Sequence, residues 1–198
     1  YPFVVNRNFY HLTGINEPNL VLVMTNDKTT LFIEESDEMF EKWIGTKVSI
    51  EKAKELSDIS DIKYLDDFNE AVFTGYSNVY LDLEVDQISH FETLAEKFAK
   101  EHNLKAINAY DILAKSRSVK SAKEVDKIRE ALHITNRGLN RIMDNLKPDI
   151  RESVLEAHFD FELKSENVIN AFDTIAASGK NATTLHYVTN NEFTKNDD

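Results

Sequence analysis

The stretch from Ala171 to Asn191, AFDTIAASGKNATTLHYVTNN, has the grammar of a binding site. Ala171 to Ala177 is a run of apolar and β-branched residues bounded by Ser178-Gly179-Lys180-Asn181, which predicts a strand leaving into a turn. Leu185-His186-Tyr187-Val188 predicts a second short strand. The loop between them is rich in Ser, Gly, Asn and Thr, so it offers small side chains and backbone donors where a scaffold commonly meets a ligand. His186 stands where the chain re-enters the second strand, and an imidazole can give or take a proton near neutral pH. Taken alone, one histidine in a short apolar strand is more often a hydrogen-bonded structural residue than a catalytic one. Gly179-Lys180 is not a phosphate loop, because that motif needs glycine at 174 and Ser or Thr at 181, where Thr174 and Asn181 stand. Asn181-Ala182-Thr183 fits the glycosylation acceptor pattern, which carries weight only in a secreted protein.

Two helices precede this stretch and must position it. Ser121-x-x-Glu124 is a capping box, and Val125, Ile128, Leu132, Thr135, Leu139, Ile142 and Leu146 follow in steps of three and four. One long amphipathic helix is expected, ended by Pro148 because the residue before a proline avoids helical angles. A second is expected from about Arg151 to Leu163, burying Val154, Leu155 and Phe159 or His158. His133 and His158 read as ordinary helix residues.

Upstream, Leu20 to Met24 and Thr29 to Ile33 are β-rich runs joined by Thr25-Asn26-Asp27-Lys28, which predicts a hairpin. Ser36 or Asp37 caps a short helix that runs through Trp43 and stops at Gly45, and Ser49 opens another with Ile50, Ala53, Leu56 and Ile59 at helical spacing. Phe68 to Phe73 is expected to be helical, Asn78 to Leu83 a strand, and Ser89 to Glu101 a helix with Phe91, Leu94, Ala95 and Phe98 on one face. Alternating strands and helices make an α/β domain. The acidic runs at Glu34-Glu35-Ser36-Asp37-Glu38 and Asp66-Asp67 read as solvated charge, since the ligands of a hard metal must converge from defined positions. His11, His90 and His102 show no ligand spacing.

Charge places a boundary and excludes some partners. Residues 1–114 hold 10 Lys or Arg against 21 Asp or Glu, net −11; residues 115–198 hold 13 against 14, net −1. The acidic first part argues against a nucleic-acid partner, which needs an excess of positive charge on some face. The stretch Lys115 to Lys147, with 9 cationic residues against 4 anionic, is explained by a helix surface. No apolar run is long enough to cross a bilayer, and the absence of cysteine excludes disulfides and a thiolate nucleophile. A soluble, cytoplasmic chain with no membrane partner is expected, and Tyr1-Pro2-Phe3 reads as a start inside a longer polypeptide.

Three segments carry a family resemblance. The run Phe172 to Tyr187, with Ser-Gly-x-Asn-Ala followed by Leu-His-Tyr, resembles the stretch before the metal centre in the aminopeptidase P and prolidase family of pita-bread metallopeptidases. Arg117 to Arg129 resembles the segment that opens that family's catalytic domain, and Asn8 to Pro18 a signature of its N-terminal domain. Val4-Val5, where many relatives have Arg-Gln, and Asp149, where glycine is usual, depart from the pattern. The resemblance implies an α/β chain: a mixed-sheet N-terminal domain over 1–116, then the opening helices and strands of a pita-bread domain over 117–198. It implies an Xaa-Pro aminopeptidase parent, with prolidase, a creatinase-like hydrolase and a non-catalytic binding module as alternatives. The implied partner is a proline-containing peptide, and the implied assembly a homo-oligomer. His186 matches the active-site histidine that contacts substrate beside two divalent ions, typically manganese. The family's five metal ligands follow the Leu-His-Tyr strand, and Asp197-Asp198 match only the acidic turn before the first of them. No metal ligand and no metal pair are therefore expected within this chain, nor any cleavage by it alone.

Overall fold

The computed structural model describes residues 3–83 and 94–196, and its contacts group into two compact units, Tyr1–Val119 and Lys120–Asp198. The start of the helix expected from Ser89, with His90 and Phe91, and the acidic pair Asp197-Asp198 lie outside the described residues.

In the first unit the hairpin is formed as expected. β1 (Val21–Met24) pairs antiparallel with β2 (Thr29–Ile33), and the Thr25 N–H donates to the Lys28 carbonyl at 2.8 Å across the turn. β2 is the middle strand and is buried on both sides. Leu31 and Ile33 join Ile15, Val48 and Ala53 in the core, while Phe32 meets the ring of Phe68 edge-on at 5.1 Å. Phe68, Phe73, Phe98 and His102 continue that aromatic cluster. The polypeptide between β2 and β3 (Asp61–Tyr64) contains α2 (Glu38–Ile44), capped by Asp37 and closed by Gly45, and α3 (Ile50–Ser57), capped by Ser49. β3 pairs parallel to β2, which needs a crossover of this length. Phe68 to Phe73 is not one helix; two 3₁₀ turns, Leu65–Asp67 and Glu70–Phe73, take its place.

β4 (Asn78–Leu81) pairs parallel with β5 (Lys105–Asn108) across a connection that includes α4 (Leu94–Glu101), and α5 (Tyr110–Ser118) follows. The segment Asn6 to Gly14 contains α1 (Arg7–Thr13), which hydrophobic periodicity does not reveal because the helix is only two turns long. Asn6 caps it, accepting from the Asn8 and Phe9 N–H groups, and Gly14 closes it at φ 69°. Asn8 is buried; it donates to Asp82 at 2.7 Å and accepts from Arg117 at 2.7 Å, tying α1 to the end of β4 and to α5.

The second unit is led by two packed helices, α6 (Ala122–Asn145) and α7 (Glu152–Ser165). The capping box at Ser121 and Glu124 is present in both directions. The helices touch closely at Gly138, where a Cβ would lie 2.5 Å from the Phe159 ring. Arg137 bridges Glu162 and Glu166, and Arg141 also reaches Glu162. Leu155 is buried as expected, Phe159 meets α6, and Val154 is exposed instead of buried. Between α6 and α7, Asp149 takes φ 60°, a left-handed angle that explains why glycine is usual at this position. Every non-glycine residue with positive φ among the described residues is Asn or Asp, the side chains that best tolerate that region. No described helix is long and apolar enough to cross a membrane.

Candidate functional site

The two strands expected over 171–177 and 185–188 are not formed. The only named element in this stretch is a 3₁₀ helix, Gly179–Thr183. The reason lies in who satisfies the backbone. Asn190, buried and at φ 46°, accepts from the Ala176 N–H at 3.0 Å and donates to the Thr174 carbonyl at 2.8 Å. These are the two bonds that a residue of a parallel neighbouring strand would make around Ile175. A side-chain amide has replaced a ladder. Its second N–H bonds Glu156 at 2.9 Å.

Glu152, in the first turn of α7, organises the rest. Its side chain is 0% exposed, and the helix N-terminus behind it favours negative charge. Oε1 accepts from the Ser178 N–H at 2.7 Å, the Ser178 hydroxyl at 2.9 Å and the Asn181 amide at 3.4 Å. Oε2 accepts from the Tyr187 hydroxyl at 2.7 Å and the Glu192 N–H at 3.0 Å. Burial alone would raise the pKa of this carboxyl, but the bonds from Tyr187, Ser178 and Glu192 outweigh it and lower the pKa from 4.5 to about 2. Glu152 is therefore ionised throughout the physiological range. Tyr187 is shifted the other way: desolvation and the carboxylate beside it raise its pKa, so the phenol stays protonated and keeps donating.

Ser178 and Asn181 thus turn inward to Glu152 and do not form a ligand-facing rim, contrary to the reading of that loop as a source of ligand contacts. His186 lies on the arm between the two anchored limbs. Its imidazole is exposed and makes no hydrogen bond among the described residues; Leu185 beside it is 88% exposed. The ring is free to engage a ligand. Lys180 is also exposed, and the 3₁₀ helix it occupies has no phosphate-loop geometry.

Behind the arm, an open groove of about 1230 Å³ is lined by Leu139, Ile142, Leu155, Phe159, Ile175 and other largely apolar residues of the second unit. Among the described residues, no group of three or more histidine, aspartate or glutamate side chains converges as a metal ion requires. Among the described residues, the donor set does not fit a metal pair.

Comparison with known proteins adds to this geometry. Residues 1–80 match the family model for the aminopeptidase P N-terminal domain, and residues 126–198 match that for metallopeptidase family M24. These two matches support an aminopeptidase P metallopeptidase fragment. Among aminopeptidase P relatives, a protein assigned to that family in Bacillus anthracis has a solved structure that is 40% identical. It superposes with a TM-score of 0.91, covering 99% of this chain and 50% of that one. The aminopeptidase PepP structure of Pseudomonas aeruginosa shares the fold, with a TM-score of 0.85 at 24% identity, over 96% of this chain and 47% of that one. The probable Xaa-Pro aminopeptidase of Aspergillus clavatus is 30% identical over 96% of this chain and 39% of its own length; human Xaa-Pro aminopeptidase 3 is 26% identical over 98% and 42%. The chain therefore spans about half or less of the aminopeptidase P relatives it matches. Its fold is the family's mixed α/β N-terminal domain followed by the opening of the pita-bread catalytic domain. M24 membership implies divalent metal in a full-length protein.

Proposed function

We propose that the full-length protein is an Xaa-Pro aminopeptidase that hydrolyses the peptide bond before proline, and that His186 hydrogen-bonds the substrate carbonyl as charge develops on it. The observation that supports this best is the pair of family matches, one on each part of the chain, joined to 40% identity with an aminopeptidase P structure. In this reading residues 1–116 are the N-terminal domain and 117–198 the beginning of the peptidase domain. Two divalent ions, manganese by preference, would supply the activated water and polarise the carbonyl. Such chemistry suits the substrate, because a tertiary amide before proline has no N–H for a peptidase to hold. The working assembly is a homo-oligomer in the cytoplasm. An exposed, unpartnered imidazole on an arm anchored at both ends suits the role given to His186. A donor aimed at a developing oxyanion acts on the rate, and its loss typically costs roughly a hundredfold to a thousandfold.

The test is the purified full-length protein, stripped with chelator and assayed on a tripeptide with proline second. Release of the first residue, restored by manganese, is expected, with a His186→Ala variant much slower at nearly unchanged KM. Cleavage confined to dipeptides would make it a prolidase. No cleavage of either substrate after metal is restored would leave the binding-module reading.

A further inference from the structure

We propose that Glu152 is a positioning residue of the active site: its two carboxylate oxygens hold the two limbs of the His186 arm in register. This rests on the reading of His186 as the group that meets the substrate. Oε1 takes the limb entering the arm, through Ser178 and Asn181; Oε2 takes the limb leaving it, through Tyr187 and Glu192. His186 directly precedes Tyr187, so the bond to the Tyr187 hydroxyl fixes the chain one residue from the imidazole. No other side chain among the described residues bonds both limbs through separate atoms in this way. The backbone there has no ladder to fall back on.

Only an ionised carboxylate suits the place. It accepts at both oxygens, whereas glutamine presents one oxygen and one NH₂. Whichever way a glutamine turned, its NH₂ would face donors: Ser178 N–H and hydroxyl on one side, or Tyr187 hydroxyl and Glu192 N–H on the other. One limb would come loose. Displacement of a catalytic group by about an ångström from a change outside the reacting atoms can cost on the order of a hundredfold.

The experiment uses the full-length protein with Glu152→Gln, His186→Ala and the double variant, assayed on the tripeptide. Glu152→Gln is expected to lower kcat by about a hundredfold with little change in KM. In the double variant Glu152→Gln is expected to add almost nothing to the loss already caused by His186→Ala, because the two act through one ring. Wild-type turnover in Glu152→Gln, or losses that multiply in the double variant, would overturn the proposal. Should Glu152→Gln fail to fold, Ser178→Ala and Tyr187→Phe each release one limb; smaller losses, again not additive with His186→Ala, are expected, and additive ones overturn it. If His186→Ala alone keeps full turnover, the role given to His186 is what fails. Amide hydrogen exchange then judges Glu152 by itself: faster exchange at Ser178 and Glu192 in Glu152→Gln supports the two-limb hold, and unchanged exchange overturns it.

Discussion

The Tyr187 hydroxyl donates to Glu152 Oε2 at 2.7 Å while also accepting from the Asn191 N–H at 3.2 Å. The residue after the candidate catalytic histidine is thus tied at its tip to a helix N-terminus and to the turn that follows it. Phenol and carboxylate stabilise each other's state: the carboxylate is kept ionised and the phenol protonated.

Acid should reveal this pair. Glu152 has its folded-state pKa lowered from 4.5 to about 2, so its contribution to stability is present above 4.5 and is lost as pH falls through 2. Urea denaturation of wild type and Glu152→Gln between pH 2 and pH 6 is the measurement. The gap in midpoints is expected to be widest near neutrality and to narrow in acid. A gap independent of pH would contradict the assignment of an ionised carboxylate.

Gly138→Ala places a methyl 2.5 Å from the Phe159 ring. Better helix propensity favours alanine by about 1 kcal/mol. Overpacking between the helices opposes it by about 1–3 kcal/mol, and the second effect is expected to win. Thermal melting should show a lower Tm, with part of the loss recovered when Phe159→Leu is added.

Asn190→Asp removes the N–H groups that Thr174 and Glu156 accept from, and sets a second carboxylate against Glu156 in a buried place. An uncompensated buried charge costs about 3–5 kcal/mol. Denaturation should show a loss of that order, and Glu156→Gln should recover part of it.

Asp149→Val puts a β-branched residue at φ 60°, where it is strained by about 1–2 kcal/mol. Asp149→Gly is expected to be tolerated. A valine variant as stable as wild type would mean that this turn has another conformation.

The elements that read well from the sequence are those specified by local signals. The hairpin, the helices capped by Asp37 and Ser49, and the long helix after Ser121 each carry their turn or capping residues within a few positions. The strands β3 and β5 are not legible, because Asp61-Ile62-Lys63-Tyr64 and Lys105-Ala106-Ile107-Asn108 set only one or two aliphatic residues among charged and polar ones. The site was legible only in part. His186 was found through family likeness, not through its neighbours. Glu152 gave no signal: a glutamate in a helix's first turn is commonplace, and its donors stand 26 to 40 residues further along. The misread strands have a related cause. Asn190 satisfies Thr174 and Ala176 with a side chain, and an apolar run looks the same whether a ladder or an amide holds it.

The span from Glu152 to Glu192 also bears on the order of folding. The α6 and α7 pair can form from contacts close in the chain, but the arm cannot be fastened until Tyr187, Asn190 and Glu192 have been made and have returned to α7. Closing such long loops comes late, after local structure has formed. During synthesis, then, the candidate catalytic histidine leaves the ribosome after Glu152 but before Asn190 and Glu192, and its placement waits for those later residues to return to α7.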